Sequence, residues 1–141
     1  YTLAGSCISG EEALQKLPLL NPTVVLMDIG LGDGINGIEV VRELKESNPQ
    51  ILFLMCTIYE EDEKIFEALN AGASGYVLKK TAPDKLLEAI KELYYGGAPM
   101  SSQIARKVVT TFQNKTSVVL NDALDILSKR EKEILEMKLF G

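Results

Sequence analysis

Four apolar runs punctuate the first eighty positions, and an amphipathic stretch follows each of them. They are residues 2–8 (Thr-Leu-Ala-Gly-Ser-Cys-Ile), 24–28 (Val-Val-Leu-Met-Asp), 51–56 (Ile-Leu-Phe-Leu-Met-Cys) and 75–78 (Gly-Tyr-Val-Leu). Continuous apolar runs this short predict strands, and 24–28 reads as one buried on both faces. The stretches between them carry helix signals. Ser9-Gly-Glu-Glu12 forms a capping box, with the helix expected to run to about Leu17 and to end at Pro18 and Asn21-Pro22. Asn36, with Glu39 three residues on, caps a helix that carries Ile38, Val41 and Leu44 on one face and stops before Pro49. Glu60, Glu61, Asp62 and Glu63 crowd the start of a third helix, where negative charge suits the positive end of the helix dipole; its stripe is Ile65, Phe66 and Leu69, and Ala71-Gly72 ends it. Thr81 is the expected cap of a fourth, with Pro83 in its first turn, Leu86, Ile90 and Leu93 on one face, and Gly96-Gly97 as its stop. Strand and helix thus alternate over residues 1–95, the pattern of an α/β fold with a parallel sheet between helices.

Beyond this block the pattern changes. Ser101 or Ser102 caps a helix in which Ile104, Val108 and Phe112 share a face, and the polar run 114–122 reads as a linker. Ser128-Lys-Arg-Glu131 is another capping box, opening a helix with Ile134, Leu135 and Leu139. The expected organisation is a domain over 1–97, a linker with one helix over 98–127, and the start of a further helical unit over 128–141.

Composition narrows the chemistry. At 141 residues and 46% hydrophobic, the chain is one ordinary domain with an appendage, able to bury a core. No apolar stretch approaches the roughly 20 residues needed to span a membrane and no charged-then-apolar leader opens the chain, so a cytoplasmic location without membrane partners is expected. Cys7 and Cys56 lie in strand-like runs without CxxC spacing and read as reduced core residues. With no histidine, the chain holds neither a His-based triad nor a phosphohistidine of its own. The net charge of −5 argues against a non-specific nucleic-acid surface.

Three polar residues stand at successive strand ends: Asp28, Thr57 and Lys79. An Asp after a strand is also a common turn cap, and a lone Lys is usually a solvated one. A parallel sheet, however, brings all three to one edge, where open α/β sheets place ligands. A carboxylate, a hydroxyl and an ammonium around one volume outline a phosphoryl site: Asp as nucleophile, Lys as neutraliser, Thr as hydrogen-bond donor.

The residues Val-Leu-Met-Asp28, Asn36-Gly37, Thr57 and Ala-Gly-Ala-Ser-Gly-Tyr76-Val-Leu-Lys79, with their spacing, resemble a bacterial two-component response-regulator receiver domain of the NarL/LuxR-like type. The resemblance implies a flavodoxin-like doubly wound parallel sheet and a phosphoprotein in which Asp28 accepts phosphate from a histidine kinase. It implies that Thr57 and Lys79 bind the phosphoryl group and that Tyr76 is the ring that turns inward when Thr57 moves. It also implies Mg2+, a homodimer, and transcription control through a helix-turn-helix that binds DNA only when complete. The segment Leu-Ser-Lys-Arg-Glu-Lys-Glu-Ile-Leu resembles the opening of such a LuxR-like domain. Two departures stand out. Gly32 occupies the place of a usual proline, and the family's first strand, its acidic pair and first helix have no counterpart. For Mg2+ that leaves Asp28 and the Gly30 carbonyl, fewer oxygens than such a cation needs. Residues 2–8 are then expected either to pair directly with 24–28 or to flank a slot filled by another segment, with the uncovered helix face buried against a second copy. Two functions follow: a phosphorylation-controlled regulator, an enzyme at most toward its own acyl phosphate, or a phosphate-independent receiver-like dimerisation and docking module.

Overall fold

The computed structural model describes residues 2–126, with side chains described through Asn114. Its elements are α1 (Gly10–Leu20), β1 (Val24–Met27), α2 (Gly37–Ser47), β2 (Leu52–Thr57), α3 (Asp62–Ala71), β3 (Gly75–Leu78), α4 (Pro83–Tyr94) and α5 (Ser102–Ile126). The strands form one parallel sheet in the order β1-β2-β3, with Val24 opposite Leu52 and Leu54 opposite Gly75. The chain divides after Ala105 into two compact units.

The caps explain most boundaries. Ser9 Oγ accepts the Glu12 N–H, while Glu12 reaches back to the N–H of Ile8, so both halves of the box are used. Asn36 Oδ1 accepts the Glu39 N–H and starts α2. Gly72 closes α3 at a φ of 119°, a left-handed conformation that glycine adopts without steric cost. On one sheet face Leu54 and Val77 pack with Ala89 and Leu93 of α4. On the other, Phe53, Met55 and Thr57 are fully buried.

Several expectations need correction. α1 continues through Pro18 to Leu20 and ends at Asn21, a left-handed cap with φ 45°. Thr81 does not cap α4: Ala82 holds the N-cap position and no side chain serves it. Residues 114–122 lie within α5 rather than in a turn-rich linker. Neither Gly nor Pro occurs between residues 101 and 140 to stop the helix, and Val119, Ala123 and Ile126 continue its apolar spacing. The helix-turn-helix start expected at 128–141 lies outside the described residues.

The largest correction concerns residues 2–8, which form no strand, with Leu3 86% and Ile8 90% exposed. They neither pair with 24–28 nor enclose a filled slot: between them and β1 lies a cavity of about 1160 Å³, which α4 lines with Leu87, Ile90 and Tyr94. β1 is consequently an edge strand, and Leu26 is 45% exposed instead of covered on both faces. The reason is the tether. Residues 2–8 lead straight into α1, and Gly5 sits against Leu20 at the C-terminal end of that helix, across the cavity from β1.

Candidate functional site

Parallel register delivers the three strand ends to one edge of the sheet. β1 ends at Met27, β2 at Thr57 and β3 at Leu78, so Asp28, Thr57 and Lys79 stand on neighbouring strands with β2 in the middle. Lys79 Nζ lies 2.5 Å from Asp28 Oδ2, spanning the width of the sheet. The Lys79 N–H donates to the Thr57 carbonyl at 2.9 Å, which fixes the base of the lysine beside the threonine. The carboxylate is partly open to solvent, its side chain 24% exposed, and its Oδ1 accepts the Gly30 N–H at 3.3 Å. The hydrogen bond to Asp28 and its negative charge raise the Lys79 pKa, so the ammonium form is held.

Thr57 is the one fully buried polar residue of the core among those described. Its Oγ1 accepts the Tyr59 N–H at 3.4 Å, which leaves its own O–H free to donate. Tyr76 is wholly buried and its hydroxyl donates to the Tyr59 carbonyl at 2.8 Å. The ring to which the resemblance assigns an inward turn already lies inward. Burial pushes its phenol pKa up, and the charges of Glu61, Asp28 and Glu60 add to the shift.

Three further residues, which the sequence did not assign to the site, also shape it. Tyr59 joins Thr57 to Tyr76 through its backbone N–H and carbonyl, and its ring approaches Gly30, where an added Cβ would lie 3.6 Å away. Gly37 lets α2 start against the strand end, because a Cβ there would meet the Asp28 carbonyl oxygen at 1.9 Å. Cys56, half buried one residue before Thr57, has its thiol pKa raised by burial and by the Asp28 charge, so it stays a thiol. Only Gly37 carried a sequence signal, the Asn-Gly pair at a helix start.

The site does not supply a Mg2+ ligand set. Among the described residues no three acidic or other ligating side chains converge. Asp28 already shares its oxygens between Lys79 and the Gly30 N–H, and the Gly30 carbonyl adds one donor to a cation that takes about six. What the arrangement supports is anion handling: a partly exposed carboxylate, a half-exposed ammonium and a buried hydroxyl with a free proton.

Comparisons with known proteins bear on this site. A family model described as "Response regulator receiver domain" matches residues 1–91. The oxygen regulatory protein NreC of Staphylococcus haemolyticus is 33% identical over 138 residues, 96% of this chain and 64% of that protein. The NreC of Staphylococcus carnosus is 34% identical over 131 residues, covering 91% of this chain and 60% of its own. The chain therefore spans less than two thirds of the length of these relatives. A crystal structure of a LuxR-family two-component response regulator from Aurantimonas sp. SI85-9A1 superimposes with a TM-score of 0.67 at 31% identity, covering 73% of each chain. No helix among the described residues is long and apolar enough to cross a membrane.

Proposed function

This chain belongs to the response regulator receiver family, and from that premise we propose that Asp28 accepts a phosphoryl group from the phosphohistidine of a histidine kinase. The observation that carries the reading is the 2.5 Å contact of Lys79 Nζ with Asp28 Oδ2 across the sheet edge, beside the buried Thr57 hydroxyl. In the transfer, an Asp28 carboxylate oxygen attacks phosphorus, an oxygen–phosphorus bond forms, the phosphorus–nitrogen bond breaks, and the imidazole leaves with the electron pair. The Lys79 ammonium moves from the carboxylate to the phosphoryl oxygens, and the Thr57 O–H donates to another. The partner supplies the histidine, since this chain has none.

Two finer readings rest on the family resemblance: the protein acts in the cytoplasm as a homodimer, and transcription is controlled through a LuxR-type helix-turn-helix. As to enzyme activity, it acts only on its own acyl phosphate. Treating the protein with phosphoramidate and measuring intact mass tests the acceptor: one phosphate is expected on the parent and none on Asp28→Asn. Undiminished phosphate on Asp28→Asn overturns the assignment. One observation favours the phosphate-independent docking module instead, namely that the described residues make no Mg2+ ligand set. Absence of added mass with Mg2+ both present and omitted would support it.

A further inference from the structure

The strand that carries Lys79 to the site also carries the attachment of α5. On its outer edge the Tyr76 N–H donates to the Pro99 carbonyl at 2.9 Å, and the Ser101 N–H donates to the Tyr76 carbonyl at 3.2 Å, forming a parallel bridge between Tyr76 and Met100. The approach needs Gly75, where a Cβ would lie 2.7 Å from the Pro99 carbonyl oxygen and 2.8 Å from Leu54 Cδ1. At the next ladder position the chain has already turned into α5, so a side chain takes over: the Leu78 N–H donates to Ser101 Oγ at 3.2 Å. The Ser101 carbonyl accepts the Ala105 N–H at 2.9 Å, in the first turn of α5, and fully buried Ile104 anchors that turn. The peptides on either side of the Leu78 Cα are thus held from opposite edges, by the Ser101 hydroxyl and by the Thr57 carbonyl.

We propose that Ser101 is a positioning residue whose hydroxyl fixes the end of β3 that bears Lys79 and ties it to the first turn of α5, so that the occupancy of the Asp28 site is read at α5. This rests on the phosphoryl reading above. The hydroxyl has two competing uses. A serine directly before a helix ordinarily accepts a hydrogen bond from the second or third helical N–H, here Gln103 or Ile104. In this structure its acceptor serves Leu78 instead. When Lys79 Nζ exchanges the Asp28 carboxylate for phosphoryl oxygens, the backbone before it shifts, and the hydroxyl passes between ending β3 and capping α5. The oxygen has two lone pairs but occupies one side-chain rotamer at a time, so aiming at Leu78 and aiming at the helix start are two discrete arrangements, and a ligand biases them by its different affinity for the two.

The test uses the full chain, residue-resolved amide exchange and intact mass, with Ser101→Ala and Ser101→Thr. Without phosphate, the Leu78 amide of Ser101→Ala is expected to exchange about fivefold faster than the parent's, about 1 kcal/mol at 1.4 kcal/mol per factor of ten, and Ser101→Thr is expected to restore it. On treatment with phosphoramidate, the Leu78 and Gln103–Ile104 amides are expected to change protection in opposite directions in the parent and in Ser101→Thr, and not in Ser101→Ala, with equal added mass in all three. Equal Leu78 exchange in parent and Ser101→Ala, or a phosphate response retained in Ser101→Ala, overturns the proposal. If no mass is added to any form, the phosphoryl reading fails and Ser101 is judged on Leu78 alone: faster exchange in Ser101→Ala with recovery in Ser101→Thr upholds the tie, and unchanged exchange refutes it.

Discussion

Gly37→Ala adds one methyl group at the point where α2 begins against the end of β1. The new Cβ would stand 1.9 Å from the Asp28 carbonyl oxygen, 2.8 Å from its carbon and 3.0 Å from Met27 Cγ. Real Cβ contacts do not fall below 3.0 Å, so α2 and the Asp28 peptide must part by about 1 Å. Two of the three neighbours are backbone atoms and cannot rotate away. Forced displacement of this kind costs about 1–3 kcal/mol, and replacing Gly by Ala in a helix returns at most about 1 kcal/mol. A net loss of about 1–2 kcal/mol is expected, together with slower phosphorylation because the nucleophile's own peptide is what moves. Gly32→Ala is the matched control. Gly32 has φ 83° and no neighbour within 4 Å of an added Cβ, so it pays left-handed strain of about 1–2 kcal/mol without touching the site. Urea unfolding followed by circular dichroism reads stability, and intact mass over time reads the phosphorylation rate. Both variants should lose stability and only Gly37→Ala should slow phosphate uptake. A Gly37→Ala protein as stable and as quickly phosphorylated as the parent would refute the close approach on which the reasoning depends.

Tyr76→Phe keeps the buried ring but removes the 2.8 Å bond to the Tyr59 carbonyl, for an expected loss of about 1 kcal/mol in urea unfolding; an unchanged midpoint would count against that bond. The same variant bears on alkaline pH. The Tyr76 and Lys79 pKa values are both raised in the folded protein, so the stability they contribute is full below pH about 10, where the unfolded side chains titrate, and is lost as pH rises through the higher folded values. Tyr76→Phe should therefore lose less of its stability above pH 10 than the parent does, as read by thermal unfolding across a pH series. Thr57→Ala removes the hydroxyl proposed to donate to the phosphoryl group while leaving Asp28 in place; phosphate should still add, and phosphate-induced dimerisation, read by light scattering, should weaken. Ser9→Ala removes the acceptor of the Glu12 N–H and should cost about 1 kcal/mol in unfolding, with no effect on phosphate uptake.

Local patterns in the sequence determined much of this protein. Apolar runs marked β1, β2 and β3, and the side-chain oxygens of Ser9 and Asn36, three residues before Glu12 and Glu39, marked where α1 and α2 begin. These are short-range choices, set by which backbone amides a nearby side chain satisfies. Asp28, Thr57 and Lys79 were legible for a related reason: in a parallel sheet every strand delivers its C-terminal end to the same edge, so three polar residues closing three apolar runs must meet. Tertiary structure decided what depends on neighbours distant in sequence. Residues 2–8 have the composition of a strand, but a strand exists only where a partner offers its edge, and α1 holds this segment across a cavity from β1. Thr81 and Ser101 were both plausible caps, yet the Thr81 side chain serves no helix end, and the Ser101 hydroxyl is taken by Leu78, 23 positions away. Tyr59 carries no pattern of its own, and its place between Thr57 and Tyr76 comes from the way the loop after β2 folds back over the end of the sheet.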